Sequence, residues 1–170
     1  MPTLFIMRHA KSDWHSAAQT DFERPLNQRG IKDAMRMGQW LDEQGLRPEV
    51  LLASPAQRAR QTVLAVAETL GIKANEVAFN KDLYLADRAT LLSVLRASVS
   101  DATESVLLVA HNPGLDDLVE WLASGPPPLS ESGKLMTTAA IAMFEAPEHW
   151  ANLKRGEVNL QQLLRPRELH

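Results

Sequence analysis

The sequence predicts an α/β fold: a three-layer α/β/α sandwich with a mostly parallel central sheet. Three short, continuous apolar segments (4–7, 50–53 and 106–110) have the length and composition of strands that are buried on both faces. Amphipathic helical patterns lie between them, and strands that alternate with helices favour a parallel sheet covered on both sides. With 170 residues and no repeat, linker or low-complexity segment, the chain is expected to form one domain, residues 1–170.

The first half of the chain is expected to supply two strands and two helices. Strand 4–7 leads into a polar loop, 11–25, in which Trp14 either packs against a protein partner or closes its own loop. Asn27 is predicted to cap a helix that runs to about Gln44 and ends before Gly45. The residues that the apolar spacing places on its inward face are Ile31, Ala34, Met35, Gly38 and Leu41. After strand 50–53, Ser54 is predicted to cap the next helix, with Pro55 at its first position. That helix ends at Gly71 and has this inward face: Ala59, Thr62, Val63, Val66, Ala67 and Leu70.

The second half is expected to complete the sheet. A short strand is predicted at 77–80, and Asp87 is predicted to cap a helix through Val99. After strand 106–110, a helix begins at Asn112 and Pro113, with its apolar positions at Leu115, Leu118, Val119 and Leu122. Segments 138–145 and 157–164 are interpreted as late strands, although the second is also compatible with a helix.

Composition excludes several classes of function. The net charge of −3 and the absence of a basic face or stacking run argue against nucleic-acid binding. Without cysteine there can be no disulfide, thiolate catalysis or cysteine-based metal site. No window has the length and hydrophobicity of a membrane span, and the N-terminal apolar run is too short for a signal peptide. We therefore expect a cytoplasmic protein that does not act at a membrane.

Histidine and arginine side chains follow three of the predicted strands. Arg8 and His9 come directly after the first, Arg58 lies about one helical turn beyond the second, and His111 follows the third. In an open α/β sheet, ligands bind in the crevice beyond the carboxyl ends of the strands. A pocket of histidine and arginine in that crevice is suited to a phosphoryl group, which a guanidinium can bind through two hydrogen bonds.

Each of these residues also has an alternative interpretation. His9 could be a nucleophile toward phosphorus, a general base, a metal ligand or a packed core residue. Arg8 could pair with a distant carboxylate such as Asp13 or Asp21, Arg58 could be a solvated helix charge, and His111 could cap the following helix. A metal site is poorly supported, because no histidine or carboxylate pair has ligand spacing.

Four segments, in order, resemble the histidine phosphatase superfamily, which has the phosphoglycerate mutase-like fold. They are Arg8-His9-Ala10, the stretch 24–30 (RPLNQRG), the stretch 54–62 (SPAQRARQT) and the stretch 109–114 (VAHNPG). Alanine stands at position 10 where the superfamily usually has glycine, as the phosphohistidine phosphatase branch tolerates. The chain's short length, with no long insertion after Asp82, is similar to the SixA-type phosphohistidine phosphatases.

The resemblance implies roles for these residues. His9 would be the nucleophile, and Arg8, Arg58 and His111 would bind the phosphoryl oxygens, with Arg24 and Asn112 as further phosphate-binding residues and no metal or cofactor. The expected substrate is phosphohistidine in a phosphorylated protein; a small phosphorylated substrate such as a phosphate ester, or a non-catalytic phospho-ligand binding protein, are the alternatives.

One position departs from the superfamily. Its phosphomonoesterases and mutases usually carry a glutamate where this chain has Leu85, and Asp87 could replace that acid only if its loop turned inward. A phosphoramidate tolerates a missing general acid better than a sugar phosphate does, which is why phosphohistidine is expected.

Overall fold

The structure, a computed structural model, describes residues 1–169. Within that range the chain forms one six-stranded sheet and four α-helices. The strands are β1 Thr3–Arg8, β2 Val50–Ala53, β3 Val77–Phe79, β4 Ser105–Ala110, β5 Ile141–Glu145 and β6 Asn159–Leu164. The helices are α1 Gln28–Glu43, α2 Gln57–Thr69, α3 Arg88–Ala97 and α4 Gly114–Leu122.

The strand order in the sheet is β3-β2-β4-β1-β5-β6. The first four of these neighbours are parallel, whereas β5 is antiparallel to both β1 and β6. β4 and β1 lie side by side in the middle of the sheet, in a register that places Arg8 opposite Ala110. The residues that follow these two strands therefore emerge next to each other at one edge.

Helices cover both faces of the sheet, as the alternating apolar segments predict. Phe5 and Met7 of β1 pack on one side with α1 and α2, and Leu4 and Ile6 pack on the other side with α3 and α4. This alternation follows from the two-residue period of a strand. The three-layer α/β/α arrangement with a mostly parallel sheet is confirmed.

The inward face of α1 differs from the sequence expectation. Ile31 and Met35 are exposed, and the face consists instead of Gly30, Ala34, Met37, Gly38 and Leu41. The reason is close packing: a Cβ on Gly30 would lie 2.1 Å from the carbonyl oxygen of Lys11, and one on Gly38 would lie 2.0 Å from Oγ1 of Thr69 in α2. Gly30, Ala34 and Gly38 thus allow the close approach, while Met37 and Leu41 supply the larger apolar side chains of the face.

Most helix ends agree with the sequence signals. The side chain of Asn27 accepts a hydrogen bond from the backbone N–H of Gly30, and that of Asp87 accepts one from Thr90. The prediction for α2 is wrong in detail, because the helix begins at Gln57 and its N-cap is Ala56 rather than Ser54. The segment 159–164 is a strand, β6, which settles the choice between strand and helix.

Within residues 1–169, no helix combines the length and hydrophobicity needed to cross a membrane.

Candidate active site

The two histidines that follow β1 and β4 face each other. Their ring centroids are 5.2 Å apart, with the ring planes tilted by 55°. Both side chains are buried; His9 is 6% exposed and His111 1% exposed. Because β1 and β4 are parallel neighbours, the backbone itself holds the imidazoles together, and the sequence expectation that they share one crevice is confirmed.

The hydrogen bond of His9 determines its tautomer. Its Nδ1 lies 2.7 Å from the carbonyl oxygen of Ala10. A carbonyl can only accept, so Nδ1 carries the hydrogen and Nε2 of the neutral ring keeps its lone pair. Burial lowers the pKa of His9 to about 3, and the nearby charges of His111, Arg8 and Arg58 act in the same direction. The imidazole is therefore neutral at pH 7, with Nε2 available as a nucleophile.

Ser54 orients the second histidine. Its Oγ lies 2.8 Å from Nε2 of His111 and already accepts a hydrogen bond from the backbone N–H of Ala56. The hydroxyl hydrogen can donate to Nε2, and in that tautomer the ring hydrogen of His111 lies on Nδ1. Burial, followed by the charge of Arg58, lowers the pKa of His111 to about 4.

Arg8 is held by a main-chain carbonyl rather than by a carboxylate. Its Nη1 donates to the carbonyl oxygen of Met136 at 3.1 Å, and Asp13 and Asp21, the alternative partners considered from the sequence, form no salt bridge with it. The same carbonyl accepts from Nδ2 of Asn112, and Asp116 accepts the N–H of Met136. Burial lowers the pKa of Arg8, while the negative charge of Asp116 opposes that shift.

Arg58 is buried, not solvated, and is held by Asp21. The residue is 2% exposed, and its guanidinium donates to both the backbone oxygen and the carboxylate of Asp21, at 2.7 and 3.0 Å. Arg24 and the hydroxyl of Tyr84 donate to the same carboxylate. Burial alone would raise the pKa of Asp21, but hydrogen bonds from Tyr84, Arg58 and Arg24 outweigh it and lower the pKa to about 2.

Arg24 lies at the outer side of this cluster. Besides Asp21, it donates from Nε to Oγ of Ser12, and its guanidinium lies 3.6 Å from the ring centroid of Trp14. Trp14 therefore closes its own loop on one face of its ring, although 74% of the residue remains exposed. The structure thus joins Arg24 to the Arg58 side of the site, whereas Asn112 lies on the Arg8 side.

Buried side-chain nitrogen and oxygen atoms without a hydrogen-bond partner are concentrated in this site. Within residues 1–169 they are Nε of Arg8, Nε of Arg58 and Nδ1 of His111. Such atoms are rare in folded proteins, and each unpaired buried donor is costly. The two arginine atoms are donors, and Nδ1 of His111 is a donor when Nε2 accepts from Ser54. A tetrahedral oxyanion, which carries several acceptor oxygens, is the kind of ligand that this set can bind.

The region expected to supply a general acid does not supply one. Leu85 is an exposed apolar residue with a positive φ of 51°. Asp87 caps α3, and its hydrogen bond to Thr90 lowers its pKa, so it does not turn inward. Asp21 does contact the cluster, but its low pKa makes it an anion at neutral pH.

Comparison with known proteins agrees with this geometry. Residues 4–83 match the model of the histidine phosphatase superfamily (branch 1). The phosphohistidine phosphatase SixA of Escherichia coli is 31% identical over 145 residues, which cover 85% of this chain and 86% of SixA. A solved structure of the protein histidine phosphatase SixA complexed with tungstate superposes with a TM-score of 0.81, at 28% identity and 99% coverage of both chains.

A relative with a different activity also matches. The 2,3-bisphosphoglycerate-dependent phosphoglycerate mutase of Methylorubrum populi is 32% identical over 141 residues, which cover 81% of this chain and 61% of the mutase. Taken together with the SixA match, these similarities show that the chain belongs to the histidine phosphatase superfamily.

Sequence reasoning missed three residues of the site. The sequence indicates Asp21 only as a possible partner of Arg8 and Ser54 only as a helix cap, and it gives no signal for Tyr84. Tyr84 stacks edge-on against His111, with ring centroids 5.6 Å apart. The Ser-Pro pair at 54–55 was a signal, but it was assigned to the helix rather than to the site.

Proposed function

We propose that this protein is a phosphohistidine phosphatase that acts through a covalent phosphohistidine intermediate on His9. One observation carries the proposal: a neutral buried imidazole whose Nε2 is unprotonated lies beside three buried nitrogen atoms without partners, two of them guanidinium donors. A nucleophile surrounded by fixed positive charge and oriented donors is what phosphoryl transfer requires of a protein. The solved relative bound to tungstate, another tetrahedral oxyanion, supports the same use of the pocket.

In the first step, Nε2 of His9 attacks phosphorus. The new P–Nε2 bond forms as the bond between phosphorus and the substrate nitrogen breaks, and the electron pair of that bond leaves with the substrate. Arg8, Arg58 and Nδ1–H of His111 bind the phosphoryl oxygens and stabilise the charge that spreads over them. Arg24 and Asn112 support the two guanidinium groups from either side.

In the second step, water attacks the phosphorus of phospho-His9. The P–Nε2 bond breaks, and the electron pair returns to Nε2, while phosphate keeps one water proton and releases the other to solvent. The Ala10 carbonyl holds the hydrogen on Nδ1 throughout. The ring therefore departs as neutral imidazole, a good leaving group, and neither step uses a metal ion.

The leaving group favours a phosphoramidate substrate. An alcohol leaves as a strongly basic alkoxide unless it is protonated, as the pKa of about 16 for water indicates. A general acid typically contributes about 10²–10⁴ in rate, and neither Asp21 nor Asp87 provides one. Phosphohistidine protonated on its far nitrogen leaves as neutral imidazole, whose conjugate acid has a pKa of about 6.5.

The match to a phosphoglycerate mutase supports a second candidate, hydrolysis of a small phosphate ester. The residue at position 85 argues against it, because leucine cannot protonate an alkoxide. A non-catalytic phosphate-binding protein would share the same pocket but would form no covalent intermediate.

The test is to measure hydrolysis of a phosphohistidine protein, phosphoramidate and several sugar phosphates, and to trap the phosphoenzyme. We expect turnover of the first two far above that of the sugar phosphates, and an acid-labile, alkali-stable phosphate on His9. His9→Ala is expected to abolish turnover and labelling while the fold survives, as circular dichroism would show. His15→Ala is the matched control, because His15 is an exposed loop residue.

Wild-type activity in His9→Ala would refute the mechanism. Tight phosphate binding without labelling or turnover would support the non-catalytic alternative, and preference for a sugar phosphate would support the esterase.

A further inference from the structure

A groove of about 580 Å³ opens beside the candidate active site, and Arg8 forms part of its wall. It runs between the loop after β1, the start of α1, the segment 130–138 and the C-terminal turn Pro166–Glu168. The groove therefore continues outward from the proposed phosphoryl pocket, where the body of a bound substrate would lie.

The groove is positive on a negative protein. Six basic and three acidic side chains line it, so it carries +3, whereas the whole chain carries −3. The rest of the chain accordingly carries −6. Two of the acidic residues are already paired inside the groove, Asp33 with Arg29 and Glu168 with Arg165.

Besides Arg8, which donates to a main-chain carbonyl, three of the basic residues have no such partner. Lys11, Lys134 and Arg167 are exposed and form no salt bridge within residues 1–169. Glu131 is the remaining acidic residue on the wall. Long, solvated side chains of one sign around a groove steer an oppositely charged partner and contribute to its selection.

The form of the groove favours a macromolecular ligand over a second small anion. A specific site for free phosphate would contain buried hydrogen-bond donors directed into the groove. The buried donor without a partner in this wall is Nε of Arg8, and that atom belongs to the phosphoryl pocket. The groove wall also includes Trp14, whose ring is held by Arg24 on one face and is otherwise exposed. An exposed tryptophan that a neighbouring guanidinium holds in place is typical of the residues that anchor protein interfaces.

We propose that this groove, which we call the basic groove, binds an acidic surface next to the phosphohistidine of a protein substrate, through Lys11, Lys134 and Arg167. The proposal rests on the function proposed above and adds the chemistry by which the partner is selected.

The experiment uses two phosphohistidine peptides of equal length, one with glutamates flanking the phosphohistidine and one with glutamines. For the wild-type protein at low salt, we expect kcat/KM for the glutamate peptide to be about tenfold that for the glutamine peptide, because three exposed charge pairs can form. This ratio of the two kcat/KM values should approach one in concentrated NaCl, which screens the charges. The triple variant Lys11→Glu, Lys134→Glu, Arg167→Glu is expected to reduce the ratio to one or below.

A matched variant controls for the overall change in charge. Lys73→Glu, Lys154→Glu, Arg155→Glu makes the same substitutions at exposed positions outside the groove. These three residues form no salt bridge in the described part of the chain, and we expect the variant to keep the wild-type ratio. Hydrolysis of phosphoramidate gives the active fraction of each preparation, so a misfolded variant is recognised by its rate on that compound.

A ratio near one for the wild-type protein, or an equal fall in both triple variants, would overturn the proposal. So would selective loss of activity toward small bisphosphates with the peptide ratio unchanged. Failure of the proposed function looks different: the wild-type protein would hydrolyse a sugar phosphate and neither peptide.

Discussion

Acidification should destabilise this protein through His9 and His111. The pKa values of the two buried imidazoles are about 3 and about 4, against an ordinary value of 6.5. Between pH 6.5 and these values the unfolded chain binds two protons that the folded chain does not bind, so the free energy of unfolding falls as pH falls. The effect is absent above pH 6.5, where both rings are neutral in either state.

The size of the effect follows from the pKa values. At pH 5.0 each ring lies 1.5 pH units below its ordinary pKa of 6.5 and is still neutral in the folded protein. One pH unit corresponds to about 1.4 kcal/mol for each proton. The two histidines together should therefore remove about 4 kcal/mol between pH 7 and pH 5, a large part of the stability of a typical domain.

The assay is urea unfolding at pH 7, 6 and 5 in buffers without phosphate, since a bound anion would favour the charged rings. The double variant His9→Gln, His111→Gln should lose about 4 kcal/mol less than the wild-type protein over this range, and each single variant about half of that. His15→Gln, in the exposed loop, should follow the wild-type protein. Parallel pH profiles for the wild-type protein and the double variant would refute the reasoning.

Three further predictions concern single contacts. Arg58→Ala removes a buried guanidinium and should raise the Ki for vanadate about 10²-fold or more. An unchanged Ki would show that Arg58 does not contact the bound anion. Ser54→Ala leaves the Nε2 atom of the second histidine without its partner and should lower kcat about tenfold, with little change in KM; a normal kcat would show that this hydrogen bond does not orient the ring. Gly114→Ala places a Cβ 2.0 Å from a backbone oxygen and should lower stability by about 1–3 kcal/mol in thermal unfolding. Gly125→Ala, where the added Cβ meets open space, is its control, and equal melting temperatures for the two variants would contradict the packing argument.

The sequence was sufficient for the parts of the site that regular structure positions. His9 and His111 follow strands with unmistakable apolar runs, and parallel strands bring their carboxyl ends to one edge. Arg58 was predicted for the same reason, since the start of α2 follows β2. These residues are located by periodicity, which a single sequence displays directly.

Residues positioned by irregular backbone were not predictable in the same way. Asp21 lies in a loop without periodicity, and its three partners come from positions 24, 58 and 84. Its role depends on where the loop folds, which no spacing rule fixes. Ser54 was misassigned because a serine before proline favours a helix cap, whereas the hydroxyl here serves the histidine of the neighbouring strand.

The error in α1 has a related cause. Ile31 and Met35 fit an apolar stripe by spacing, yet the helix approaches a backbone carbonyl and a neighbouring helix closely enough that glycine is required at positions 30 and 38. The spacing of apolar residues indicates which side chains avoid water, but it does not indicate how closely a neighbouring segment approaches the helix.

The main-chain carbonyl of Met136 has a consequence for how the protein can vary. Every amino acid carries the same carbonyl, so substitution at this position keeps the acceptor that orients Arg8, provided the chain keeps its path. Deleting or inserting a residue in the preceding segment would shift that oxygen and remove the hydrogen bond that orients the Arg8 guanidinium. The orientation of the Arg8 guanidinium is thus tolerant of substitution at position 136 and sensitive to changes in the length of the segment before it.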